Sequence, residues 1–321
     1  MAYKWRKIGN IFNPRTISGR PWLKEFAQAP SVLLFDDRVR VYFSCRPPPD
    51  ANGQYVSYSA YVDLDRKDIS RILAVSEQPI LSLGRTGTFD EFGTYPVSVI
   101  RHKDTVRAYY GGWSRCESVP FDVAIGCAVS TDEGVTFSKI GSGGPILSAG
   151  VDEPFVISGP KIRRFNGAWQ LFYIAGRKWI LADGRPEPVY RIRMATSTDG
   201  FVWKRSNRDL IPIRLDDDEA QASPDVLFHN GTYHMFFCYR RGRNYRGREG
   251  GYRIGYASSP DMKEWQRDDS RAGIDVSAEG WDSEMVSYPH VFAMDGQIYM
   301  LHLGNAVGRE GFGAAILEGE L

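Results

Sequence analysis

Long apolar runs are missing from this 321-residue sequence. No window holds the roughly 18 consecutive apolar residues of a membrane span, and the opening M-A-Y-K-W-R-K-I-G-N has no secretory apolar core. A cytoplasmic protein without membrane insertion is expected. Charge of one sign is missing as well: 40 Lys+Arg against 39 Asp+Glu leave a net charge of +1. No global field gathers nucleic acid, which is not an expected partner. Cysteine is scarce. Cys45, Cys116, Cys127 and Cys238 show no C-x-x-C spacing, and three lie in apolar runs, which fits packed, reduced thiols rather than a disulfide framework or zinc site. The five histidines form no H-x-x-x-H pair, and no P-loop, Rossmann fingerprint or G-x-S-x-G elbow occurs. No metal and no cofactor are expected.

What the sequence does have is repetition, with 42% hydrophobic residues to fill a core. Five segments align on a proline: A-P-S-V-L-L-F, Y-P-V-S-V-I-R, G-P-K-I-R-R-F, S-P-D-V-L-F-H and Y-P-H-V-F-A-M. Their prolines, Pro30, Pro96, Pro160, Pro224 and Pro289, are 66, 64, 64 and 65 residues apart. In each unit a short run, a turn such as Asn166-Gly167 or Asn230-Gly231, and a second apolar run predict a hairpin. Third runs such as Y-R-I-G-Y-A-S-S and fourth runs after S-T-D-G-type turns complete a four-stranded blade. The fifth unit stops after its third strand, while the opening Y-K-W-R-K-I-G resembles the fourth strand V-T-F-S-K-I-G of the second. The expectation is an all-β, five-bladed propeller in one domain, closed by its N-terminal strand. The blades span about 25–90, 91–153, 154–218, 219–283, and 284–321 with 1–10.

Alternating strand direction opens the loops before the first strand and after the second on one face, where polar residues recur. Ahead of the prolines stand Glu25, Asp90, Glu91, Asp152, Glu153, Asp218, Glu219, Asp282 and Glu284. Their recurrence predicts acids delivered to a central funnel, where crowding would raise some pKa values toward those of a general acid. Turn capping or pairing with arginine is the plainer alternative. At the second-strand ends stand Arg46, Arg115, Arg177 and Arg240, the last opening R-R-G-R-N-Y-R-G-R-E-G-G. These arginines either neutralise the acids or clamp phosphate, sulfate or a sugar carboxylate. Trp113 and Tyr288 are candidate stacking platforms for sugars, and Gln28 and Asp282 further candidate binding residues. The S-T-D-E-G-V-T-F stretch matches the sialidase Asp-box but falls on the far face, where it should stabilise a turn.

The five units, the x-P-x-V starts and the S-x-D-G-x-x-W turns resemble the five-bladed propeller glycoside hydrolases of families 43, 32, 68 and 130, over essentially the whole chain. D-E-P-F-V-I-S-G-P, G-W-D-S-E-M-V-S-Y-P and the closing G-N-A-V-G-R-E-G-F-G-A-A-I-L-E resemble superfamily members found with bacterial surface-polysaccharide genes. The resemblance implies a carbohydrate-facing funnel. It does not carry over the family 43 catalytic placement: Ala29 stands where the base would be, S-P-D at Asp225 resembles A-P-D but falls in the fourth blade, and no Glu lies two residues before a repeat proline.

The leading expectation is an enzyme cleaving or transferring a glycosidic bond in a bacterial polysaccharide or oligosaccharide, neutral or anionic, through paired carboxylates. Glu284 is the candidate acid, Glu219 and Asp152 the candidate base or nucleophile, Asp225 and Asp90 orienting acids, and Arg46, Arg177 and Arg240 substrate clamps. A glycoside phosphorylase needing one acid plus phosphate, and a sugar-binding propeller without catalysis, are the alternatives. A monomer would satisfy the closed ring.

Overall fold

The computed structural model describes residues 1–321. Five four-stranded antiparallel sheets form the ring of a propeller. The chain starts in β1 (Lys4–Phe12). Blade one is β2 (Glu25–Leu34), β3 (Arg38–Arg46), β4 (Tyr58–Asp65) and β5 (Ile72–Val75); blade two is β6 (Gly93–His102), β7 (Thr105–Arg115), β8 (Phe121–Ser130) and β9 (Ser138–Lys139). Blade three is β10 (Phe155–Phe165), β11 (Ala168–Ala182), β12 (Arg185–Ser197) and β13 (Lys204–Arg205); blade four is β14 (Ala220–His229), β15 (Thr232–Arg240), β16 (Arg253–Ser259) and β17 (Gln266–Arg267). Blade five is β18 (Ser287–Met294), β19 (Gln297–Leu303) and β20 (Phe312–Glu318), with β1 as its outer strand. β1 runs antiparallel to β20 from Lys4 opposite Glu318 to Phe12 opposite Phe312, so the ends of the chain close the ring as expected. No helix is long and apolar enough to cross a membrane.

The hairpin turns have the backbone their residues favour: Asn166, Asn230 and Asp295 at φ 50°, 45° and 51°, each followed by a glycine with positive φ. That double left-handed turn matches strand twist, and Asn-Gly and Asp-Gly pairs adopt it at least cost. The Asp-box-like turns lie at the opposite end of the blades from the funnel. Burial alone would raise the Asp132 carboxyl, yet hydrogen bonds from Ser130, Thr136 and the Val135 amide hold it down at about 2. Asp199 and Asp261 receive the corresponding amide bonds in blades three and four.

The repeat proline marks a bulge. Every innermost strand loses register with its neighbour around the x-Pro pair, at Gln28/Ser31, Thr94/Val97, Ser158/Lys161, Ala222/Asp225 and Ser287/His290. The residue before the proline takes positive φ in four blades: Ala29 at 52°, Gly159 at 61°, Ser223 at 49° and Tyr288 at 51°. Bulges bend a strand and re-aim its side chains. Here they turn the residue before each proline toward the mouth of the ring, and bring Lys161, Asp225 and His290, each directly after its proline, together at the axis.

Candidate functional site

A cavity of about 800 Å³ opens on the ring axis. All five residues that precede the repeat prolines (Ala29, Tyr95, Gly159, Ser223 and Tyr288) line it. Its wall is rich in aromatic rings, including Phe26, Tyr55, Trp113, Tyr190, Tyr245 and Tyr252. Its lining is rich in cations. Arg46, Arg115, Arg185, Arg240, Arg246, Arg309 and Lys161 stand on it with Glu187 as the single lining carboxylate. Arg115, Arg246, Arg309 and Lys161 are paired with Asp50, Glu187, Glu25 and Asp225, which leaves Arg46, Arg185 and Arg240 without a carboxylate.

Arg46, at the end of β3, carries the strongest electrostatic demand. Its guanidinium lies 4.7 Å from the Phe26 ring centroid, 5.3 Å from Tyr55 and 5.8 Å from Tyr95. Its Nε is buried without any hydrogen-bond partner, and burial pulls its pKa below the usual arginine range. A desolvated guanidinium with no carboxylate beside it attracts an oxyanion, since leaving it unpaired is costly. Arg240 is buried without a carboxylate partner too, but Tyr252 Oη, the Arg241 and Pro188 carbonyls and the face of Tyr245 at 3.7 Å occupy it. Between the two arginines run paired phenols: Tyr95 and Tyr288 at 3.2 Å, Tyr190 and Tyr252 at 2.6 Å.

At the axis below, Asp225 accepts from His290 Nδ1 at 2.7 Å, from the Val291 amide at 3.0 Å and from Arg163, with Lys161 at 3.8 Å. His290 Nε2 accepts from the Val32 amide at 3.0 Å, which makes Nδ1 the protonated nitrogen of a neutral ring. Burial holds His290 at about 4 and Lys161 at about 8 despite the pull of Asp225. Asp225 itself would be raised by burial, but Arg163, His290 and Lys161 keep it well below the carboxylate range.

The acids expected in the funnel are elsewhere. Asp90, Glu219 and Asp282 are buried in ion pairs within their own blades: Asp90 with Lys139 at 2.5 Å, Glu219 with Arg267 at 2.6 Å and Asp282 with Lys7 at 2.6 Å. Glu153 pairs in the same manner with Arg205 at 2.5 Å. In each case the base comes from the outermost strand, so the recurring acid tethers the loop before the innermost strand to the blade's outer edge. Asp225 is consumed by the axial network, Asp152 is exposed, and the half-buried Glu284 lies off the cavity wall. None of these acids faces another across the cavity. Arg46, Arg240, Trp113, Tyr288 and Gln28 do line it; Arg177 instead borders a separate groove with Arg191, Asp209 and Trp265.

Glu187 escaped the sequence reading because it belongs to no repeat position. β11 and β12, 15 and 13 residues long, extend beyond the other blades' hairpins, and R-P-E-P in that extension brings Glu187 to the funnel. Its Oε2 accepts from Tyr245 Oη at 2.7 Å, and Arg246 holds Oε1 at 2.6 Å. The two prolines flanking this glutamate were the available sign. No group of three or more His, Cys, Asp or Glu side chains is arranged to hold a metal ion.

A five-bladed ring of four-stranded blades is the fold of the propeller glycoside hydrolases and phosphorylases. Similar solved structures include a glycoside hydrolase (TM-score 0.76, 16% identity, 99% of this chain and 93% of that one), a thermostable family-43 glycoside hydrolase (0.64, 14%, 96% and 91%) and the β-1,2-mannobiose phosphorylase of Listeria innocua (0.70, 13%, 99% and 97%). At these identities the likeness is one of fold. No family model matches the chain. By sequence it is 35% identical over 316 residues to the uncharacterized proteins Rv1502 and MT1551 of Mycobacterium tuberculosis, covering 98% of this chain and 99% of theirs, and it belongs to their family.

Proposed function

We propose that the protein makes or breaks a glycosidic bond in this funnel with phosphate, rather than water, as the exchange partner. The observation that carries the reading is Arg46, whose buried Nε has no partner and which has no carboxylate beside it, in a cavity wall where Arg185 and Arg240 also lack one and Glu187 is the only lining acid. Hydrolysis by paired carboxylates needs two acids about 5–10 Å apart across the scissile bond; a wall with Glu187 alone argues against it. Exchange with phosphate needs one proton-transferring group and a place for the oxyanion, to which arginine forks are suited. The fold, shared with a mannobiose phosphorylase and with glycoside hydrolases alike, admits this reading.

The test is turnover of a disaccharide panel that includes β-1,2-mannobiose, with and without inorganic phosphate. Sugar phosphate should form only with phosphate present, and Arg46→Gln should raise the KM for phosphate by about 10- to 100-fold. Equal turnover without phosphate would sink the proposal. A second reading, an acidic saccharide held by the same side chains, draws on Arg185, which stands on the wall with Arg46 and Arg240 and like them has no carboxylate partner. It expects acidic oligosaccharides to be cleaved without phosphate.

A further inference from the structure

Tyr245 and Glu187 form a pair that oxyanion binding does not require. The phenol donates to the carboxylate at 2.7 Å, Arg246 fixes the other carboxylate oxygen at 2.6 Å, and the Arg240 guanidinium lies 3.7 Å over the phenol ring. A nucleophile within hydrogen-bond reach of a base that a third group orients is the arrangement covalent catalysis needs. Tyrosine serves as nucleophile in some glycosidases. We propose that Tyr245 attacks the anomeric carbon of a glycosyl phosphate, with Glu187 as its base, in a double displacement with net retention. This rests on the phosphate reading above.

The inventory of the wall favours that donor. With Glu187 committed to the nucleophile, no second carboxylate is present to protonate a departing sugar oxygen. A glycosyl phosphate monoanion requires none, because it departs as hydrogen phosphate toward Arg46. In the first step the Tyr245 Oη–carbon bond forms, the phenolic proton passes to Glu187, and the carbon–oxygen bond to phosphate breaks. In the second, an acceptor hydroxyl attacks the same carbon, Tyr245 leaves and recovers its proton from Glu187, and the hydroxyl proton goes to the released phosphate. Sugar phosphate and alcohol become glycoside and dihydrogen phosphate. Burial holds the Tyr245 phenol above its usual range, so attack at neutral pH depends on the base; Arg240 acts in the opposite direction, favouring the phenolate.

The experiment takes the full-length protein and the glycosyl phosphate that the exchange assay identifies. Mixing without acceptor should release about one equivalent of phosphate per chain and add one glycosyl group to the peptide carrying Tyr245. NMR of the product formed with acceptor should show the donor's anomeric configuration retained. Tyr245→Phe should lose turnover by on the order of 10³-fold or more, while a phosphate-induced rise in melting temperature persists. Inversion, a glycosyl group on another residue, or a Tyr245→Phe variant that still gives the burst overturns the proposal. If the tyrosine only ties its loop to the β11–β12 hairpin, the variant will change KM and melting temperature and keep the burst. If no glycosyl phosphate or disaccharide exchanges with phosphate, the reading beneath falls, and this one with it.

Discussion

His290 and His302 are both buried, and burial holds each imidazole at about 4. Asp225, Lys161 and Arg163 surround the first; Lys7 and Asp282 face the second, whose ring stacks on Trp281 at 5.1 Å with neither nitrogen hydrogen-bonded. An unfolded histidine titrates near 6.5. Between about pH 6.5 and 4 the unfolded chain therefore binds protons that the folded ring refuses, and stability falls as pH falls through that window. Urea unfolding should give a smaller unfolding free energy at pH 5 than at pH 7, by about 2 kcal/mol for each ring. His302→Phe should flatten the dependence; an unchanged slope in that variant would remove His302 from the explanation. Single residues were unevenly legible at the sequence level. Arg46 and Tyr288 are found by counting from a proline, because the blade repeats its geometry, whereas Glu187 stands in a hairpin extension that no other blade shares.

The blade itself explains why the recurring acids point to a funnel in sequence and to an ion pair in space. Each pairs with a base that follows an aromatic residue by two positions on the outermost strand: Phe137 and Lys139, Trp203 and Arg205, Trp265 and Arg267, Trp5 and Lys7. That second pattern is as regular as the first, but acid and base stand about 50 residues apart, or at opposite ends of the chain for Asp282 and Lys7, so sequence proximity hides the pairing. Blade one lacks it; Arg20 instead binds the Val75 and Ser76 carbonyls. Removing one partner of a buried pair leaves an uncompensated charge, at about 3–5 kcal/mol. Arg267 would keep Asp269 at 2.9 Å, but Glu219→Ala also strips the Arg214 and Leu215 amides of their acceptor, so it should lose about 3 kcal/mol, while Glu284→Gln and Asp152→Asn should stay within about 0.5 kcal/mol of the parent. Chemical denaturation decides it: a Glu219→Ala protein as stable as the parent but inactive would return that acid to the chemistry.

For the whole molecule the decisive contact joins its two ends. The strand pattern, the proline period and the orphaned fourth strand were enough to anticipate five blades and their closure, because each follows from local hydrogen-bonding needs that repeat along the chain. The contents of the funnel depend instead on side chains from all five blades meeting at one axis. Closure buries more than backbone. Tyr3 packs against Phe236 and Tyr256 of the neighbouring fourth blade and hydrogen-bonds Tyr256 at 3.1 Å, Trp5 Nε1 donates to the Ala272 carbonyl at 3.0 Å, and Lys7 supplies the base for Asp282. β1 therefore joins blades four and five as well as completing the sheet. Deleting residues 1–9 would expose the β20 edge, unpair Asp282 and open the packing between those blades, far more than the fraying usual for a terminus. The truncated protein should melt at least 10 °C lower or aggregate during purification, and a separately supplied peptide of residues 1–12 should restore part of the loss by pairing with β20. A truncated chain that melts and elutes like the parent would show that blades four and five hold together without β1.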